Sequence, residues 1–135
     1  MEEKDHIYNE LIKNISIEDL IVLEAKAKRD EDFKLPARIH LDKKQPNYKN
    51  EKDKIKVYIE YSLTATEEGE KRLGVSISVK YMIIYKTKTK MNDDLFERFS
   101  KTSLIIETWP YFRHYVHETT LNFGLPPLVL KLSKH

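Results

Sequence analysis

The residues of this 135-residue chain best placed for chemistry are His114 and His117, three apart, with Glu118 next to them. Side chains three apart share one helix face, so the pair can offer two nitrogens to one cation. The spacing is not His-Glu-x-x-His and no third ligand accompanies it, so it is half a site and no metal is expected. The run Lys86-Thr87-Lys88-Thr89-Lys90 joins cations to the nearby rings of Tyr81 and Tyr85, a combination on which single-stranded nucleic acid can stack. Nothing matches an RNA-recognition or cold-shock pattern, and charge at a strand end commonly protects a sheet edge, so nucleic acid is the weaker partner class. No Ser/His/Asp pattern with a nucleophile turn is present, and three glycines cannot build a phosphate-cradling loop. The acidic residues are scattered. The residues support no enzyme and no cofactor.

Composition narrows the class further. A single domain over residues 1–135 buries roughly two-thirds of its unfolded surface. Hydrophobic residues make up 40%, enough for a core, and three glycines with five prolines argue against disorder. Lys plus Arg number 24 against 22 Asp plus Glu, interleaved, so the net +2 creates no strong field. There is no cysteine, which excludes a disulfide scaffold and a Cys-based metal or redox site. No apolar run reaches the roughly 18 residues of a membrane span. The charged start Met1-Glu2-Glu3-Lys4-Asp5-His6 does not read as a signal peptide, so a soluble, cytoplasmic protein is expected.

Hydrophobic periodicity predicts the scaffold. Residues 1–13 form a tail or short helix. From Ile15 to Ala27 the odd positions are mostly apolar, predicting a long strand with one covered face and a bend or bulge at Asp19-Leu20. Ile39 and Leu41 mark a shorter strand. Residues 43–54 (KKQPNYKNEKDK) are the most polar stretch and predict an exposed crossover loop. Ile55, Val57, Ile59, Tyr61 and Leu63 then alternate with polar residues. After Thr66-Glu67-Glu68-Gly69-Glu70, a second run sets Leu73, Val75, Ile77, Val79, Tyr81, Ile83 and Tyr85 on one face, which is an antiparallel hairpin.

The period then becomes helical. Asn92-Asp93-Asp94 offers N-cap chemistry, and Ile105, Trp109, Phe112, Val116 and Phe123 fall near one stripe at spacings of 4, 3, 4 and 7. Pro110 means that a helix starts there or a longer one kinks there; Gly124 with Pro126-Pro127 ends it, ahead of an apolar tail of Leu128, Val129, Leu130 and Leu132. Strands first and helix last predict an α+β fold with the helix on one sheet face.

Several apolar residues sit where a soluble subunit has little use for them. Met82 and Ile84 interrupt the polar side of the second hairpin strand, fitting either a subunit interface or a groove for another chain. Phe33, Leu35 and Tyr48 lie in polar connectors and fit a groove or a satellite cluster equally well. Trp109, Phe112 and Val116 fit core or oligomer contacts. Tyr111 and Tyr115, off that stripe, can face a partner helix.

Trp109-Pro110-Tyr111-Phe112-Arg113, followed at helical distance by Gly124-Leu125-Pro126-Pro127-Leu128-Val129-Leu130, resembles the signature of the SecB family of export chaperones. There an aromatic-Pro-Tyr-x-Arg segment opens the main helix and a Pro-containing apolar segment closes it. Asn14-Ile15-Ser16-Ile17-Glu18 is similar to the family's first-strand opening. The resemblance spans about Ile15 to Leu130. It implies a four-stranded antiparallel sheet carrying a C-terminal helix, kinked or preceded by a short helix. It also implies assembly as a homodimer or homotetramer and ATP-independent holding of unfolded or pre-export polypeptides in apolar grooves. Related members serve toxin–antitoxin systems, so a dedicated partner-binding module, of antitoxin or phage type, is the alternative. The export members are acidic and dock the SecA motor on an acidic sheet patch. Here pI is near 8.6, Asn14 replaces the usual Asp, residues 72–80 hold no acid, and the chain ends soon after the matching segment. The resemblance therefore predicts client holding and argues against a SecA contact.

Overall fold

The computed structural model describes residues 2–67, 69 and 72–126. In chain order these form α1 (Glu2–Asn14), β1 (Ser16–Arg29), β2 (Ala37–Lys43), β3 (Asn47–Glu51), β4 (Lys54–Glu67), β5 (Leu73–Lys86), α2 (Asp93–Lys101) and α3 (Ser103–Asn122). The expected tail from Leu128 to Leu132 and part of the hairpin turn lie outside the described residues.

The strands build one antiparallel sheet in the order β1-β5-β4-β2, with β3 also paired to β4. The predicted hairpin is its centre: β4 and β5 pair from Lys54↔Lys86 to Thr66↔Leu73. The sheet has five strands rather than four, because the expected crossover loop at 43–54 contains β3. β2 faces Tyr61–Glu67 and β3 faces Lys54–Tyr58, so together they run as one interrupted edge strand along β4. Pro46 lies in the interruption, where its missing N–H costs no ladder bond, and the Lys44 N–H still donates to the Glu60 carbonyl at 3.0 Å. Asp53, with φ of 60°, makes the tight return from β3 into β4.

The odd positions of β4 and β5 from Ile55 to Leu63 and from Val75 to Tyr85 are all buried on one face. Leu73, assigned to that face by alternation, is 54% exposed, next to a register shift at Ala65/Thr66. Over this face lies α3, contributing Leu104, Trp109, Phe112 and Val116. Each such side chain brings about 1.5–3 kcal/mol on burial. The Tyr61 ring stacks on Phe112 at 5.2 Å and meets Trp109 edge-on at 5.7 Å.

Asn92 caps α2 as its sequence context predicts: its side chain accepts from the Leu95 N–H at 2.9 Å, with Asp93 and Asp94 in the first turn. Of the two alternatives for Pro110, the longer helix holds: no helix starts there. Pro110 sits on the exposed side within α3, which spans Ser103–Asn122. Gly124, with φ of 75°, ends α3 in a Schellman turn, in which Gly124 N–H bonds Leu121 C=O and Leu125 N–H bonds Thr120 C=O, both at 3.0 Å. At the junction of α2 and α3, α1 docks through buried Tyr8 and Leu11. The Tyr8 hydroxyl lies 2.9 Å from Thr102 Oγ1, and the Arg98 guanidinium sits 4.0 Å above the Tyr8 ring.

Candidate functional site

β1 departs furthest from expectation. A strand with one covered face was predicted, yet no residue of β1 is buried, and Ile17, Val22 and Leu23 are 40%, 52% and 47% exposed. Two register shifts, at Ile17/Asp19 and Val22/Glu24, interrupt its pairing with β5; the first matches the predicted bend. Val22 pairs with Tyr81, so it lies on the helix-bearing face, where none of the described residues closes over it. Among the described residues β1 is also an edge: one side pairs with β5, and the other leaves a row of N–H and C=O groups without a strand partner along its 14 residues.

The opposite, helix-free face of the sheet carries an apolar island. Ile21, Met82 and Tyr58 stand in register across β1, β5 and β4, and Ile84 sits one row away between Asp19 and Lys56. All four are half-exposed. Cross-strand neighbours on one face are about 5 Å apart, so the four form a continuous patch. Met82 and Ile84 were singled out in the sequence; Ile21 and Tyr58 were not, although Tyr58 already stood out among the polar even positions of its strand.

A third feature lies on the helix side, at the other sheet edge. Between the β2–β3 interruption and α2 opens a cleft of about 710 Å³, lined by residues including Lys43, Pro46, Tyr48, Asp93, Phe96 and Lys101. Tyr48 is half-buried there, with its ring 4.6 Å from Phe96 and its hydroxyl donating to Asp93 Oδ1 at 2.7 Å. Burial first, then the Asp93 carboxylate, raises the Tyr48 phenol above its ordinary value. Burial first, then the Lys101 charge, lowers the Lys43 ammonium.

The structure thus separates the sequence candidates. Phe33 is 4% exposed and packs on Gly74, so it plugs the core rather than lining an open groove. Leu35 is exposed on the connector before β2. β2 begins opposite Glu67 whereas Tyr48 sits opposite Val57, so the two lie roughly 30 Å apart along β4. Met82 and Ile84 are on the face opposite Tyr48. Trp109, Phe112 and Val116 are core, Tyr115 is half-buried, and Tyr111 is 54% exposed. The lysine run is interrupted by Thr87, which is 5% exposed and bonds Thr89. Among the described residues, no three His, Cys, Asp or Glu side chains gather to hold a metal, and no helix is long and apolar enough to cross a membrane. Burial holds the Tyr81 and Tyr85 phenols well above their ordinary value, which suits packing roles.

No protein-family model and no curated protein matches this sequence. Among solved structures, a Mycobacterium tuberculosis SecB-like chaperone, in complex with a ChAD peptide from an antitoxin, aligns with a TM-score of 0.81 at 17% identity, covering 96% of this chain and 98% of that one. A Streptococcus agalactiae protein of unknown function aligns at a TM-score of 0.43 and 14% identity, over 87% of this chain and 97% of that one. The fold of this chain is that of the SecB-like chaperone, an antiparallel sheet followed by C-terminal helices.

Proposed function

We propose that this chain is a SecB-like chaperone that holds non-native polypeptides without ATP, acting as a homodimer or homotetramer and not as an enzyme. One observation carries the reading. Ile17, Val22 and Leu23 on β1 are exposed, and the adjoining island of Ile21, Met82, Ile84 and Tyr58 is only partly covered, among the described residues. A patch of this kind on a soluble subunit serves another chain, either a second copy or a client. The open β1 edge suits pairing with a copy of itself, and the island and the Tyr48 cleft suit clients. Holding is then mass action: binding the unfolded state lowers its free concentration, with no chemical step. A cysteine-free chain suits the reducing cytoplasm. The helix-free face interleaves Lys56, Lys80 and Lys86 with Asp19, Glu24 and Glu60, so it presents no single-sign acidic patch of the kind a SecA contact would use.

A second reading is favoured by the complex of the M. tuberculosis chaperone with an antitoxin peptide: a module of the same fold dedicated to one partner. Aggregation assays separate the two. Suppression of several unrelated unfolding proteins at stoichiometric ratios supports the general chaperone. Protection of one partner alone supports the dedicated module, and protection of none rejects both.

A further inference from the structure

The charges of the Tyr48 cleft are not equally engaged. Asp93 accepts from the Tyr48 hydroxyl at 2.7 Å and stands in the first turn of α2, where the helix dipole already favours a carboxylate. Glu97 pairs with Lys101 at 3.1 Å. Lys44, next along the chain, pairs with Glu60 at 3.0 Å. Lys43 has no ion-pair partner among the described residues. It pairs with Tyr61 across β2 and β4, and Tyr61 belongs to the buried face, so Lys43 projects to the helix side, toward the end of α2. There it is partly desolvated, with Lys101 close enough to disfavour its charge. Beside these two cations the Tyr48–Phe96 pair and Pro46 supply an apolar wall.

We propose that this cleft takes a polypeptide segment in which an apolar residue, seated on Tyr48 and Phe96, is accompanied by a carboxylate lying between Lys43 and Lys101. An incoming anion relieves the repulsion between the two ammoniums and gives Lys43 the partner it lacks. A cationic segment meets the unpaired Lys43 and finds the two lining carboxylates already engaged, Asp93 by the Tyr48 hydroxyl and Glu97 by Lys101. The selectivity rests on the polypeptide-holding reading and adds a client class to it: apolar segments flanked by Asp or Glu rather than Lys or Arg. Both lysines are exposed, so about fivefold in affinity, the upper end for a surface ion pair, is the expected scale.

The test uses three short fluorescent peptides, identical apart from one Glu, Gln or Lys beside a Phe, titrated by anisotropy into the full chain. An aggregation assay on an unfolding protein runs in parallel. The Glu peptide should bind about fivefold tighter than the Gln peptide, with the Lys peptide weakest, and the order should flatten at about 0.5 M salt. Lys43→Gln and Lys101→Gln, both on exposed element ends and checked by thermal melts, should each shrink the gap. Equal binding of the three peptides, or no binding of any while aggregation is still suppressed, overturns the selectivity and leaves the holding function standing. A preference that persists undiminished in both variants also overturns it, since the carboxylate then sits elsewhere. Failure of both peptide binding and aggregation suppression removes the holding function with it.

Discussion

The hydroxyl of Tyr61 lies 2.7 Å from Thr108 Oγ1, a buried link between the middle of β4 and the underside of α3. Thr108 also donates to the Leu104 carbonyl at 2.7 Å, so its hydroxyl serves helix and sheet at once. Thr108→Val keeps the shape and leaves the Tyr61 hydroxyl buried without a partner, which costs about 1–3 kcal/mol. Tyr61→Phe, which leaves Thr108 its carbonyl, should cost less. Urea denaturation of the two variants checks the order.

Gly74 has no room for a side chain. A Cβ there would overlap the ring of Phe33, which is itself buried. Gly74→Ala should therefore destabilise by about 1–3 kcal/mol through overpacking. Combining it with Phe33→Leu should cost less than the sum of the single changes, because the two share one space. Additive losses would mean that the strain lies elsewhere.

Glu107 is half-buried, and desolvation raises its carboxyl above the ordinary 4.5, only partly offset by the Tyr85 hydroxyl donating at 3.3 Å. The folded chain therefore binds this proton more tightly than the unfolded chain. Its contribution favours folding below the ordinary value and is lost as pH rises through the folded value. Glu107→Gln should thus raise the melting temperature at about pH 7, and the difference from the unaltered chain should narrow toward about pH 4. Melts across that range decide it; a gap that widens on acidification would reverse the assignment.

Val22, at 52% exposed, makes few contacts of its own subunit, so Val22→Lys should change the stability of an isolated subunit by no more than about 0.5 kcal/mol. On an edge strand that pairs with a copy of itself, the same lysine adds repulsion and desolvation. Sedimentation should show a lower mass for the variant with its strand content unchanged. An unaltered mass would place the subunit contact away from β1.

The sequence made the β4–β5 hairpin legible because both runs alternate strictly and bury one whole face. Asn92 and Gly124 were legible because capping chemistry is local. β3 was not: Asn47–Glu51 is nearly all polar, and what makes it a strand is the edge that β4 offers, which no local pattern carries. The alternation of β1 does not mark one face: its two register shifts set Ile17 and Val22 beside Tyr85 and Tyr81 but Ile21 beside Met82, and periodicity cannot count a bulge. Phe33 misled for a related reason. A lone ring in a polar connector looks unemployed until Gly74, 41 positions later, supplies its seat.

The most direct test joins light scattering to titration with a permanently unfolded polypeptide. The account predicts a solution mass of two or four times the 16.1 kDa chain and saturable, nucleotide-independent binding. A 16.1 kDa particle that ignores the unfolded chain would contradict it.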